Sequence, residues 1–212
     1  GQLPTADEQF AIAADAYRQE DFPRAVERFD RFLTRHPRHA LADEARMKRD
    51  MARLLDRFDR GADAMTLVNE SRVATEAWQH LPPPDVQRSL AQILPELVWD
   101  LIRTAQSTSQ RSTKDAQRDA QASAAEGLQM IYKLLPAALQ RDRDVDRLQA
   151  ALTTLERNTA QAVAISTAVT AIGRAGAAGD LASIARVRQN LLGEYPQLAA
   201  DARLLRALRN VV

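Results

Sequence analysis

The chain has 212 residues, 29 basic and 28 acidic side chains, no cysteine and a net charge of +1. Its 39 alanines, seven glycines and 5% aromatic content exclude an all-β protein, which needs β-branched, aromatic and turn residues in quantity, and a disulfide-stapled one. With 45% hydrophobic and 27% charged residues the balance is that of a globular protein rather than a disordered one.

Thr5-Ala6-Asp7-Glu8 fits a capping box and opens a predicted helix to about Gln19, with Phe10, Ile12, Ala13, Ala16 and Tyr17 on its apolar side. Asp21-Phe22-Pro23 opens a second, with proline in the first turn, where its missing N–H is harmless. Its stripe is Ala25, Val26, Phe29, Phe32 and Leu33, and Pro37 closes it. A third helix is expected over 41–58, burying Met47, Met51, Leu54, Leu55 and Phe58 and wetting Arg46, Arg49, Asp50, Arg53 and Arg57. A fourth is expected over 62–79, carrying Met65, Leu67, Val68, Val73 and Trp78.

Pro82-Pro83-Pro84 marks a subdomain boundary, dividing helical hairpins over 1–81 from a helical region over 82–212. The fifth helix (85–108) is apolar most of the way round, so it is expected to be central, with Pro95 kinking it. Residues 106–112 read as polar linker. The sixth helix starts near Thr113 and becomes apolar only at Leu128. In the seventh (144–174), Val145, Leu148, Leu152, Leu155, Thr159, Ala162, Ser166 and Val169 alternate three and four apart as a heptad seam. Helices over 180–192 and 197–209 complete an all-α chain of about nine helices in antiparallel hairpins.

Two stretches match in order. Asp21-Phe22 precedes Pro37 by the same 16 residues that separate Asp180-Leu181 from Pro196, and Phe32-Leu33 corresponds to Leu191-Leu192. Such self-similarity marks stacked helical hairpins. Residues 6–39 form a 34-residue unit that resembles a tetratricopeptide repeat. Ile12-Ala13 stand at that family's Leu-Gly pair, Tyr17 lies one place beyond its usual aromatic, and Phe22, Ala25, Phe29 and Pro37 fall on its later signature positions. Gln9 replaces the first-helix tryptophan, Glu20 the turn glycine and Phe32 a small residue. A second unit over about 40–75 is degenerate, and a third over about 164–196 is loose, with Ile184 and Arg188 in the alanine and aromatic places. Residues 16–46 are also similar to repeat-type lipoproteins and cell-envelope scaffolds of bacteria.

The resemblance implies an α-α superhelix that binds a protein or peptide in the groove lined by the first helix of each pair. Carried over by position, Asp7, Phe10, Ala14, Tyr17 and Arg18 would line it, with core packing as the alternative for Phe10 and Tyr17. Arg46, Arg49 and Arg53 extend the candidate groove, the alternative being a solvated face. The resemblance favours a bacterial envelope or periplasmic setting over a cytoplasmic one. The chain begins at Gly1 rather than Met, which reads as a remnant of tag removal and leaves room for a signal, anchor or further domains.

Chemistry-bearing motifs are incomplete. His36 and His39 flank Pro37 in a predicted loop without a third ligand, so they read as exposed turn residues rather than zinc ligands. Gly173, Gly176 and Gly179 follow a helix, not a strand, and lack the Lys-Ser/Thr of a phosphate loop. Asp142, Asp144 and Asp146 lack the glycine and the twelfth-place acid of a calcium loop. No enzyme activity, metal or cofactor is expected. No apolar run reaches 18 residues, so no membrane span is expected. Basic and acidic residues number 12 and 12 over 1–60, 4 and 6 over 61–112, and 13 and 10 over 113–212, which argues against a nucleic-acid binder. Self-association through the 145–169 seam or the fifth helix is the alternative to protein or peptide binding.

Overall fold

A computed structural model describes residues 4–107 and 114–211. The described residues are all-α, with ten α-helices: α1 (Ala6–Arg18), α2 (Phe22–Arg35), α3 (Ala42–Asp59), α4 (Ala64–Glu76), α5 (Pro84–Gln106), α6 (Lys114–Leu134), α7 (Ala137–Asp142), α8 (Val145–Ala177), α9 (Leu181–Glu194) and α10 (Ala202–Arg209). A 3-10 helix, Pro196–Ala200, occupies the start of the last predicted helix, and α7 was not anticipated. Most of the polar linker expected over 106–112, and the Thr113 start of the sixth helix, lie outside the described residues.

The chain forms two compact units, Gly1–Leu152 and Thr153–Val212. The triple proline expected to divide the chain lies within the first unit, where α5 packs on both α3 and α4.

In the first unit, α2 packs against α1 on one side and α3 on another. Thr5 accepts from the Glu8 amide while Glu8 accepts from the Thr5 amide, completing the capping box. Phe10 meets Phe29 and Phe32 edge-on at centroid distances of 5.8 and 5.7 Å. Ala13 and Ala25 are fully buried, which brings the two helix backbones close beside those rings. Helix α5 is the centre of this unit, touching α3, α4, α6 and α7. It runs through the buried Pro95.

Its tightest partner is α6, whose buried face begins with Ala120, Ala124 and Gly127, before the leucines. A Cβ on Gly127 would stand 2.7 Å from Val98 Cγ2, so the α5–α6 approach depends on the missing side chain. On α4 the buried stripe is Leu67, Val68, Ser71 and Thr75, while Met65 and Val73 are exposed and Trp78 lies beyond the helix end. Small polar residues at four-residue spacing therefore continue a buried face that hydrophobicity alone assigns wrongly. Ser71 donates to the Leu67 carbonyl, which satisfies its hydroxyl.

The second unit buries Ile165, Ala168, Ile172, Ile184, Leu191, Leu198 and Leu204 together. Gly176 lets Val211 approach α8, since a Cβ there would collide with Val211 Cγ1. The heptad seam does not persist along α8. Val145, Leu148, Leu152 and Leu155 are buried, but Ala162 and Ser166 are exposed and the buried positions become 165, 168 and 172. Ten residues separate Leu155 from Ile165, and at 3.6 residues per turn that rotates the apolar stripe by about 80°.

The repeat read from the sequence is a repeat of turns. Glu20 and Gly179 each close the preceding helix with left-handed φ of 59° and 68°. Each is followed by an amide reaching back five residues, Asp21 to the Ala16 carbonyl (3.0 Å) and Asp180 to the Ala175 carbonyl (2.9 Å), the bonding of a Schellman cap. Asp21 and Asp180 then cap helices of 14 residues by accepting from the Arg24 and Ser183 amides. The side chains diverge: Phe22 and Phe29 are buried, whereas the corresponding Leu181 and Arg188 are exposed.

Two outcomes test this packing. Phe29→Ala removes a fully buried ring and is expected to cost about 3–5 kcal/mol in urea denaturation. Glu20→Gly relieves a left-handed residue that carries a Cβ and is expected to stabilise the first unit by about 1 kcal/mol in the same assay.

Candidate functional site

The groove residues expected from the sequence do not form one open surface. Tyr17 is buried, and its hydroxyl lies 2.7 Å from Ser89 Oγ on α5. Phe10 is half-buried within the ring cluster, with the Lys48 ammonium 5.6 Å from its ring centre. Ala14 is half-buried. Asp7 and Arg18 are exposed, Asp7 facing the His39 imidazole at 3.6 Å and Arg18 pairing with Asp15.

The α3 arginines are neutralised where they stand. Arg46 donates to Asp43 and to the Pro37 carbonyl. Arg49 donates to Asp50 (2.9 Å) and pairs with Asp30 of α2 at 3.4 Å, and Arg53 donates to the other oxygen of Asp30 at 2.8 Å. Arg57 and Arg60 pair with Glu70 and Asp56. The row therefore ties α3 to α2 and α4 rather than presenting a positive stripe. Arg46 and Arg49 line a depression of about 350 Å³ with Trp78, whose indole N–H donates to Asp50 at 3.3 Å.

Sequence reasoning missed an ion cluster built around a buried lysine. Lys48 is 7% exposed and bridges Glu44 of its own helix (2.9 Å) to Asp85 in the first turn of α5 (2.7 Å). Burial by itself lowers its pKa, but the bonds to Asp85 and Glu44 outweigh that and hold the ammonium above its ordinary value. Burial raises the Tyr17 hydroxyl well above the ordinary tyrosine value, opposed by the Ser89 bond and reinforced by the Asp85 charge. A lysine four residues after a glutamate was legible as a surface pair; its burial was not, because Asp85 arrives from 37 residues away.

A groove of about 470 Å³ opens next to this cluster. Its walls come from the end of α1 (Tyr17, Arg18, Glu20), the start of α5 (Asp85, Arg88, Ser89) and α7 with the residue after it (Leu139, Asp142, Arg143). Two candidate groove residues, Tyr17 and Arg18, belong to it. Arg88 and Arg143 form no ion pair among the described residues.

His36 and His39 are half-buried rather than exposed, packing on Phe32 at 5.4 and 5.6 Å. Among the described residues no three His, Cys, Asp or Glu side chains gather as metal ligands, and no helix is long and apolar enough to cross a membrane. Asp142 ends α7, Asp144 takes a left-handed φ of 51° and Asp146 lies in the first turn of α8. No protein family, curated protein or solved structure matches the chain.

In the first unit the raised pKa values of Lys48 and Tyr17 set the direction of the alkaline response. Each protonated form is favoured by folding, so the stability they contribute is complete below the unfolded values near pH 10 and is lost as pH rises through and above them. Tyr17→Phe is expected to cost about 1 kcal/mol at neutral pH and to flatten the loss of stability above pH 10 by about one proton, read from urea midpoints across the alkaline range.

Proposed function

We propose that this chain is a non-catalytic helical-hairpin module of tetratricopeptide type that binds a segment of another protein along the first unit. The carrying observation is the groove walled by α1, α5 and α7, where Arg88 and Arg143, which form no ion pair among the described residues, stand beside Tyr17 and Leu139 and share the walls with Glu20, Asp85 and Asp142. Surfaces assembled from several helices, with arginine and tyrosine beside apolar contacts, have the composition of protein-recognition sites. The repeat reading is supported by Glu20, which adopts left-handed backbone at the place where that family carries its turn glycine. The ion-paired α3 row supports a protein ligand over a nucleic acid, because those guanidiniums are already matched by carboxylates.

Charge reversal at Arg88 and Arg143 together is expected to lower the affinity of a bound protein segment by tenfold or more while leaving helicity unchanged. Calorimetric titration of the wild type and the double variant checks this; equal affinity removes the groove from the binding surface.

A second reading, self-association, is favoured by Val163, Leu181 and Leu205, which are 58%, 66% and 44% exposed in the second unit. Light scattering over a concentration series distinguishes it: a strict monomer rejects self-association.

A further inference from the structure

The flank of α2 turned away from α3 carries four arginines. Arg24, Arg28, Arg31 and Arg35 recur at spacings of four, three and four, which aligns them along one side of the helix. Asp30 marks the opposite flank, since both its partners, Arg49 and Arg53, belong to α3. At 3.6 residues per turn the arginine row lies roughly 130° around the helix from Asp30.

Beside the row runs α1. Two adjoining depressions of about 180 and 190 Å³ are lined by Arg28 and Ile12 in common, one with Pro4, Arg31 and Arg35, the other with Arg24 and Asp15. Ile12 is 41% exposed, so an apolar seat lies between the guanidiniums. Arg31 pairs with Glu27 at 2.6 Å and Asp15 pairs with Arg18. Arg24, Arg28 and Arg35 form no ion pair among the described residues. This contrasts with the α3 row, where each guanidinium has its carboxylate.

We propose that this α1–α2 flank is a second docking surface, for an acidic amphipathic helix of a partner protein. The proposal rests on the protein-binding reading above and names the partner's chemistry at a different site. Charge complementarity sets the occupant. Arg24 and Arg28 lie about 6 Å apart along the axis, and Arg28 and Arg35 about 10 Å. A partner helix with carboxylates at i, i+4 and i+11 repeats those intervals, and each guanidinium fork donates two parallel bonds to a carboxylate. One apolar side chain from the same helix face fills the seat at Ile12 and Pro4. A nucleic-acid backbone would use the guanidiniums but not the apolar seat at Ile12, so the observations favour a carboxylate-bearing amphipathic partner.

Fluorescence anisotropy with a labelled synthetic helical peptide tests this. The peptide carries glutamates at those three positions and one leucine between them. A leucine-to-serine version and a 20-base-pair duplex DNA serve as comparison probes. Wild-type protein is expected to bind the glutamate–leucine peptide and to lose affinity with rising salt, as exposed charge pairs do. Arg24→Glu/Arg28→Glu/Arg35→Glu is expected to weaken binding by at least about tenfold, and the leucine-to-serine peptide and Ile12→Ser each several-fold. Arg88→Glu/Arg143→Glu is expected to have no effect. All substituted positions are exposed or half-buried, and circular dichroism checks that each variant is folded. Absence of peptide binding, or binding that ignores the triple reversal, overturns the proposal. Duplex DNA binding at least as tightly as the peptide, with no response to Ile12→Ser, also overturns it and makes the flank a polyanion surface. Binding lost only on Arg88 and Arg143 reversal sinks this proposal and leaves the groove reading standing. Loss only in the triple variant supports this proposal and leaves the groove to its own calorimetric test.

Discussion

A single buried ammonium fixes where the first unit's central helix begins. Lys48 reaches Asp85 from α3, and a few ångströms of chain further on Ser89 meets the Tyr17 hydroxyl of α1. Both contacts fall within the first two turns of α5, whose apolar body has little directional preference of its own. Hydrophobic burial holds that body among α3, α4 and α6 without specifying its rotation or axial position. Directional bonds to a shielded ammonium do specify them, since Lys48 left without its carboxylates would be costly. The groove bordered by Asp85, Arg88 and Ser89 inherits its shape from that anchoring.

The helical elements were legible because their cues are local. The Thr5–Glu8 box and the Asp21 and Asp180 caps each act within three or four residues and appear in the structure where the sequence places them, whereas the triple proline opens α5 without dividing the chain. Ring packing of Phe10, Phe29 and Phe32 was likewise readable from helical spacing. What escaped the sequence depends on partners distant in the chain. Ser71 and Thr75 look like surface residues yet both are buried, Thr75 against Met130 of α6, and Gly127 looks like a weak helix former until Val98 closes on it.

The candidate site shows the same division. Arg46, Arg49 and Arg53 have the spacing of an exposed stripe, yet Asp30 on a different helix absorbs two of them. Arg24, Arg28 and Arg35 have the same kind of spacing and no such partner among the described residues. Which arginine row is available to a ligand is decided by what faces it across the helix pair, and periodicity within one helix carries no record of that.

The long helix α8 contains a stretch, residues 156–160, in which every residue is exposed. It falls where the buried stripe changes side. Helix there is maintained by backbone hydrogen bonds and intrinsic propensity, with Glu156, Arg157 and Ala160 favourable and Asn158 and Thr159 less so. Local fraying of such a segment needs no loss of core contacts, so its amides should exchange with solvent through sub-global openings, ahead of both flanking cores. The peptide bond after Arg157 is accordingly the place where a trypsin-like protease would enter this helix first.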